Sequence, residues 1–120
     1  MSHRERRRLH EYLEDVLGAI GRIHEYSDDL SYEALAKNRM IQDAIAYNFE
    51  IIGEALHQLS DRYPDFYSAH PEIPFQSAYS MRNKLAHLYW KTEGEIIWDT
   101  IREDLDPLSA RVEAALGALE

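Results

Sequence analysis

The chain has 120 residues, enough for one domain that buries roughly two-thirds of its unfolded surface without staples. It holds no cysteine, which excludes disulfides, thiolate zinc sites and a cysteine nucleophile, and suits a reducing cytoplasm. A formal net charge of −9 excludes a general nucleic-acid coat, whose affinity comes from neutralising phosphates.

An acidic chain can still act on RNA if its positive charge is local or is supplied by a second subunit. No apolar run reaches the ~18 residues of a membrane span. The basic start, Met1 to Arg8, is not followed by the apolar core of a signal peptide. No linker, repeat or low-complexity stretch divides the chain, so a single helical domain over residues 1–120 is expected.

The first predicted helix runs from about Arg4 to Tyr26, with Leu9, Leu13, Val16, Leu17, Ile20 and Ile23 at helical spacing. Gly18 and Gly21 weaken it in isolation and read as places where a neighbour comes close. Ser27-Asp28-Asp29 is a turn, and Ser31 to Lys37 forms a short helix. A long helix follows from about Asn38, as N-cap, to Ser60. Its stripe is Ile41, Ala44, Ile45, Asn48, Ile52, Ala55, Leu56 and Leu59, and Tyr47, Phe49 and Ile51 widen the apolar arc. Such a helix sits centrally, or touches both the bundle and a partner chain. Asn48, inside the stripe, reads as a hydrogen-bonded core residue.

Asp61 to Pro74, with three prolines, is predicted to be the longest connection. Its Tyr63-Pro64-Asp65-Phe66-Tyr67 piece reads as loop anchoring in preference to a platform for stacking bases. Pro74 suits the first turn of a helix that reaches about His87 or Leu88. Thr92 and Glu95 have the spacing of a capping box for the last helical region. There Ile97, Ile101, Leu105, Leu108, Val112, Leu116 and Leu119 keep one phase across Pro107, so a kinked or nearly collinear pair is expected. The sum is an all-α antiparallel bundle of four to five helices.

One stretch, Ser80 to Trp90, carries the chemistry. Arg82 and His87 are five residues apart, about 140° on an ideal helix, whereas Asn83 and His87 share a face. For Arg82 and His87 to serve one site, the helix must end or distort near His87, or the site must be a cleft at a two-fold interface. A histidine can take a proton from a ribose 2′-hydroxyl or give one to a leaving oxygen. An arginine can stabilise charge building on phosphate oxygens, and Asn83 can orient the imidazole or bind phosphate. With the RNA's own 2′-hydroxyl as nucleophile, neither a protein nucleophile nor a metal is required. Other histidines (His3, His10, His57, His70) lack ligand spacing, so no metal site or cofactor is expected. On spacing alone the signal is weak, and a solvated arginine and a helix-end histidine are the preferred account of the pair.

The sequence resembles the HEPN-domain toxins of the HepT type over Met40 to the C-terminus, with a looser fit before that. The residues that carry the likeness are Gln42-Asp43-Ala44, Asn48 to Ala55, His70 to Phe75, Met81 to Tyr89 in the pattern R-x-x-x-x-H-x-Y, Ile96 to Ile101 and Asp104 to Leu108. The resemblance implies a helical bundle that dimerises with its two motifs at a shared cleft. It implies a metal-independent ribonuclease in a toxin–antitoxin pair, silenced when a minimal nucleotidyltransferase (MntA-like) antitoxin transfers AMP to the motif tyrosine. Carried over by position, Arg82 and His87 are the catalytic pair, Asn83 assists, and Tyr89 is the acceptor. Trp90-Lys91 departs from the Phe-Gly that often follows in the family, which touches the loop beside the site. Glu54 either faces the cleft and holds Arg82 or is an exposed helix carboxylate. The competing readings are a non-catalytic helical partner that shapes a nucleotidyltransferase's substrate site, and a plain dimeric bundle in which Arg82 and His87 make interface hydrogen bonds.

Overall fold

The computed structural model describes residues 1–119, and among them every regular element is a helix. The first, α1 (His3–Ser27), starts where the Ser2 hydroxyl accepts from the Glu5 N–H. It buries Leu9, Leu13, Val16, Ile20 and Ile23, each side chain stabilising the fold by about 1.5–3 kcal/mol. A short helix, α2 (Tyr32–Ala36), is capped by Ser31. The central helix is α3 (Arg39–Arg62), whose first turn is closed by the Asn38 side chain accepting from Ile41 N–H at 3.0 Å.

α3 packs against α1, α2, α4 (Pro64–Ala69) and α5 (Phe75–Leu85), which accounts for its wide apolar arc. Its direction is opposite to α1. The Tyr63 hydroxyl, just beyond α3, donates to the Glu5 carbonyl at 2.9 Å, and Arg22 Nε donates to Asn48 Oδ1 at 2.8 Å further along. Asn48 also donates to the Ala44 carbonyl, so it is the satisfied core residue its place in the stripe implies. The remaining helices are α6 (Trp90–Glu103) and α7 (Leu105–Leu119), parted at Asp104. Pro107 falls in the first turn of α7, where its missing N–H breaks no helical bond. Ile97, Ile101, Leu105, Leu108 and Val112 are all buried across the break, as their common phase requires.

Five helices of eleven or more residues thus make up the bundle, with two short ones added. Four local expectations need correction. The proline-rich connection contains α4, with Pro64 at its first position and Phe66 turned inward. α5 stops at Leu85, short of His87. α6 begins at Trp90, so Thr92 lies inside its first turn, its hydroxyl directed at the Tyr89 carbonyl, and no Thr92–Glu95 capping box forms. Gly18 and Gly21 are not close approaches: a Cβ at Gly18 would touch only the Arg22 side chain, and one at Gly21 would meet open space.

Candidate functional site

The motif rides on α5, and three features place that helix. First, His70 Nδ1 and Glu72 Oε1 are 2.8 Å apart in the entry turn, a hydrogen bond that holds the Glu72 carboxyl below its ordinary range. Second, Phe75 is buried edge-on to Phe66 and Tyr67 of α4, which seats the start of α5. Third, Gly53 of α3 has no side chain to hold α5 off. A Cβ there would lie 2.7 Å from Arg82 Cβ and 3.0 Å from the Ala78 carbonyl oxygen. Glycine mid-helix destabilises by about 1 kcal/mol relative to alanine, and here it lets the Arg82 backbone settle onto α3.

Arg82 is held from several sides. Its Nε lies 3.6 Å from Glu54 Oε2, and Nη2 lies 3.7 Å from Glu50 Oε1. These are ion-pair distances, too long for hydrogen bonds, and Nε is buried without a hydrogen-bond partner. Nη1 donates to Asn83 Oδ1 at 3.1 Å. The guanidinium carbon stands 5.7 Å from the centre of the Tyr79 ring, which is itself stacked on His57 at 4.2 Å. One cation therefore faces two carboxylates, Glu50 and Glu54, and a third, Asp43, lines a groove with Glu50 and Arg82.

The end of α5 at Leu85 determines where His87 goes. Ala86 caps the helix, the His87 N–H donates to the Lys84 carbonyl at 3.1 Å, and the chain turns instead of winding on. Arg82, Asn83 and His87 accordingly line one open groove of about 640 Å³, together with Asp43, Tyr47 and Glu50 of α3. Tyr89 lies outside that lining, extended at the cap of α6 and 73% exposed. Glu54 lies behind Arg82 and outside the groove wall. A separate apolar cavity of about 380 Å³ between α5 and the α6–α7 junction contains none of the motif's polar residues. Among the described residues no group of three or more His, Asp or Glu side chains is placed to hold a metal ion.

Reading the sequence missed Asp43, Tyr47, Glu50 and Gly53 as parts of the site. The signal was present, since Asp43, Tyr47 and Glu50 stand at i, i+4 and i+7 on one helix face.

The family model described as "Ribonuclease HepT-like" matches residues 16–115. The chain is 35% identical over 103 residues to a Thermococcus cleftensis protein named "Probable ribonuclease HepT", covering 86% of this chain and 91% of that one. It is 31% identical over 105 residues to a protein of Caldanaerobacter subterraneus subsp. tengcongensis (88% and 91% covered). It is 29% identical over 102 residues to one of Methanocaldococcus jannaschii (85% and 91% covered), and both names contain "Putative RNase". No solved structure gives a significant match.

Proposed function

The chain belongs to the HepT-like ribonuclease family, and we propose that it is an endoribonuclease toxin whose reacting groups are Arg82 and His87. The observation that carries this reading is the stop of α5 at Leu85, which turns both side chains into one groove despite their ~140° helical separation.

In the proposed reaction the RNA's 2′-oxygen attacks the adjacent phosphorus. The new P–O2′ bond forms as the P–O5′ bond breaks, leaving a 2′,3′-cyclic phosphate and a free 5′-hydroxyl. One imidazole takes the 2′ proton and another gives a proton to the 5′-oxygen, so the two His87 copies of a two-fold dimer supply both partners. Arg82 receives the charge that accumulates on the non-bridging oxygens, with Asn83 orienting its guanidinium. Glu54 and Glu50 hold Arg82 in place from behind and beside.

The regulatory half of the proposal concerns Tyr89, whose exposed hydroxyl is open to a nucleotidyltransferase antitoxin. AMP on that oxygen brings a phosphodiester charge beside Arg82 and an adenosine into the path of the substrate. Arg82→Ala and His87→Ala are each expected to lower RNA cleavage 100-fold or more with helicity unchanged. Full activity in either variant refutes the assignment. Cleavage that is lost with EDTA and regained with a divalent ion refutes the metal-free route.

A further inference from the structure

Within one protomer the groove holds little positive charge for its proposed substrate, and a two-fold partner adds only its own copy of the same lining. Arg82 is its only arginine or lysine, and Asp43 and Glu50 line it beside that residue. The groove continues past Tyr47 and Glu50 into a second hollow of about 270 Å³, and these two residues line both. The second hollow is acidic too, with Asp15, Glu50 and Glu54 around Tyr12, Ile51 and Ala55. A polyanion laid phosphate-first against that wall is repelled. It can pass only with its bases turned inward and its phosphates turned out.

Both requirements of such a path are met nearby. Tyr47, on the divide between the hollows, is 63% exposed and offers a ring for stacking. Beyond the second hollow lies the densest positive charge of an acidic chain. Four of its 13 arginines and lysines fall within Arg4 to Arg8, and all four are exposed. Arg4 and Arg8 are one turn apart, on the same face of α1 as Asp15 in the hollow's wall. The Arg8 guanidinium covers the Tyr12 ring at 4.5 Å, and Tyr12 lines that hollow. Arg4 lies about 12 Å further along the axis than Tyr12.

We propose that single-stranded RNA leaves the Arg82 groove over Tyr47, which stacks one base, and runs along the start of α1, where Arg4 and Arg8 hold two of its phosphates. The proposal rests on the ribonuclease reading for its substrate, and the test separates the two. Binding of a labelled RNA of about ten nucleotides is followed by anisotropy across a salt series, in the His87→Ala background so that no turnover intrudes. Arg4→Gln with Arg8→Gln is expected to weaken binding at least tenfold and to flatten the slope of log K against log salt by about 1.4. Tyr47→Ala is expected to weaken it about tenfold, with Tyr47→Trp restoring it. The double variant Lys37→Gln with Arg111→Gln makes the same change in net charge elsewhere and is expected to leave the slope alone.

An unchanged slope in the Arg4/Arg8 variant, or an equal change in the control, overturns the path, as does a His87→Ala protein that binds no RNA. So does a Tyr47→Ala protein whose dimer dissociates in light scattering, because that places Tyr47 between two copies. In the His87 background, the path is scored on binding alone. If the unmodified chain binds with the full slope and does not cleave, the ribonuclease reading fails and the path stands. If it cleaves and the Arg4/Arg8 slope is unchanged, the path fails and the reading stands.

Discussion

Gly53→Ala tests how α5 is held. The new methyl carbon would lie 2.7 Å from Arg82 Cβ, where a relaxed carbon pair sits at about 3.5–4.0 Å. Arg82 Cβ is fixed to its backbone and the second clash, at 3.0 Å, is with the backbone oxygen of Ala78, so no side-chain rotation relieves them. α5 must retreat from α3 by about 0.8 Å or more. Overpacking destabilises by about 1–3 kcal/mol, and removing a mid-helix glycine returns about 0.5–1 kcal/mol, leaving a net loss of about 0–2.5 kcal/mol. At about 4 °C per kcal/mol, melting falls by at most about 10 °C. Displacing a reacting group by about 1 Å can cost about 100-fold in rate. Circular-dichroism melting and RNA cleavage measured on the same preparation should therefore part company, with activity lost far beyond the small loss of stability. Gly21→Ala is the matched control, because its Cβ enters open space, and it is expected to gain about 0.5–1 kcal/mol with full activity. A Gly53→Ala protein that cleaves at the wild-type rate refutes the claim that the α3–α5 spacing positions Arg82.

Three further predictions follow from the packing and the motif. Asn48→Ala removes the acceptor of Arg22 Nε and the bond to the Ala44 carbonyl, and is expected to cost about 1–3 kcal/mol in urea unfolding, where an unchanged midpoint would contradict a structural role. Glu72 has a lowered pKa when folded, so its bond to His70 stabilises the fold above the unfolded carboxyl range, near pH 4.3, and that contribution disappears as pH falls through the folded value. Acid titrations of wild type and Glu72→Gln should differ at neutral pH and converge in acid, and curves that stay parallel would count against this account. Tyr89→Phe is expected to cleave RNA like wild type and to escape silencing by a co-expressed nucleotidyltransferase, with mass spectrometry placing any adduct of the wild-type chain on Tyr89.

The long helices were legible because their apolar residues repeat over many turns, and Asn38 was legible as a cap because its short amide side chain is suited to accept from the N–H three residues on. The end of α5 was not. Nothing in Leu85-Ala86-His87-Leu88 breaks a helix locally, with neither glycine nor proline present, so the stop depends on how Leu85 and Leu88 pack on the core. α4 is hidden in the sequence because three prolines within eleven residues signal a loop, although Pro64 alone is a good first residue for a helix. The glycines were misassigned for a related reason. A glycine inside a helix signals a possible close approach, but which of Gly18, Gly21 and Gly53 makes one depends on a second helix that sequence spacing does not place. The motif residues stand out in the sequence through their chemical types and through the family resemblance. Their neighbours Asp43, Tyr47 and Glu50 do not, because on α3 they look like an ordinary outer face.

α5 leans chiefly on α3 and fully buries only Phe75, while α1 and α3 hold most of the interior. Folding therefore exerts little selection on the residues proposed to carry the chemistry. Asn83 and His87 are exposed, so they can drift in a lineage without unfolding the bundle, and a descendant that has lost them would persist as a stable helical partner. Shape alone would then be a poor guide to which members of such a lineage still cut, and the side chains lining one groove would be the better one.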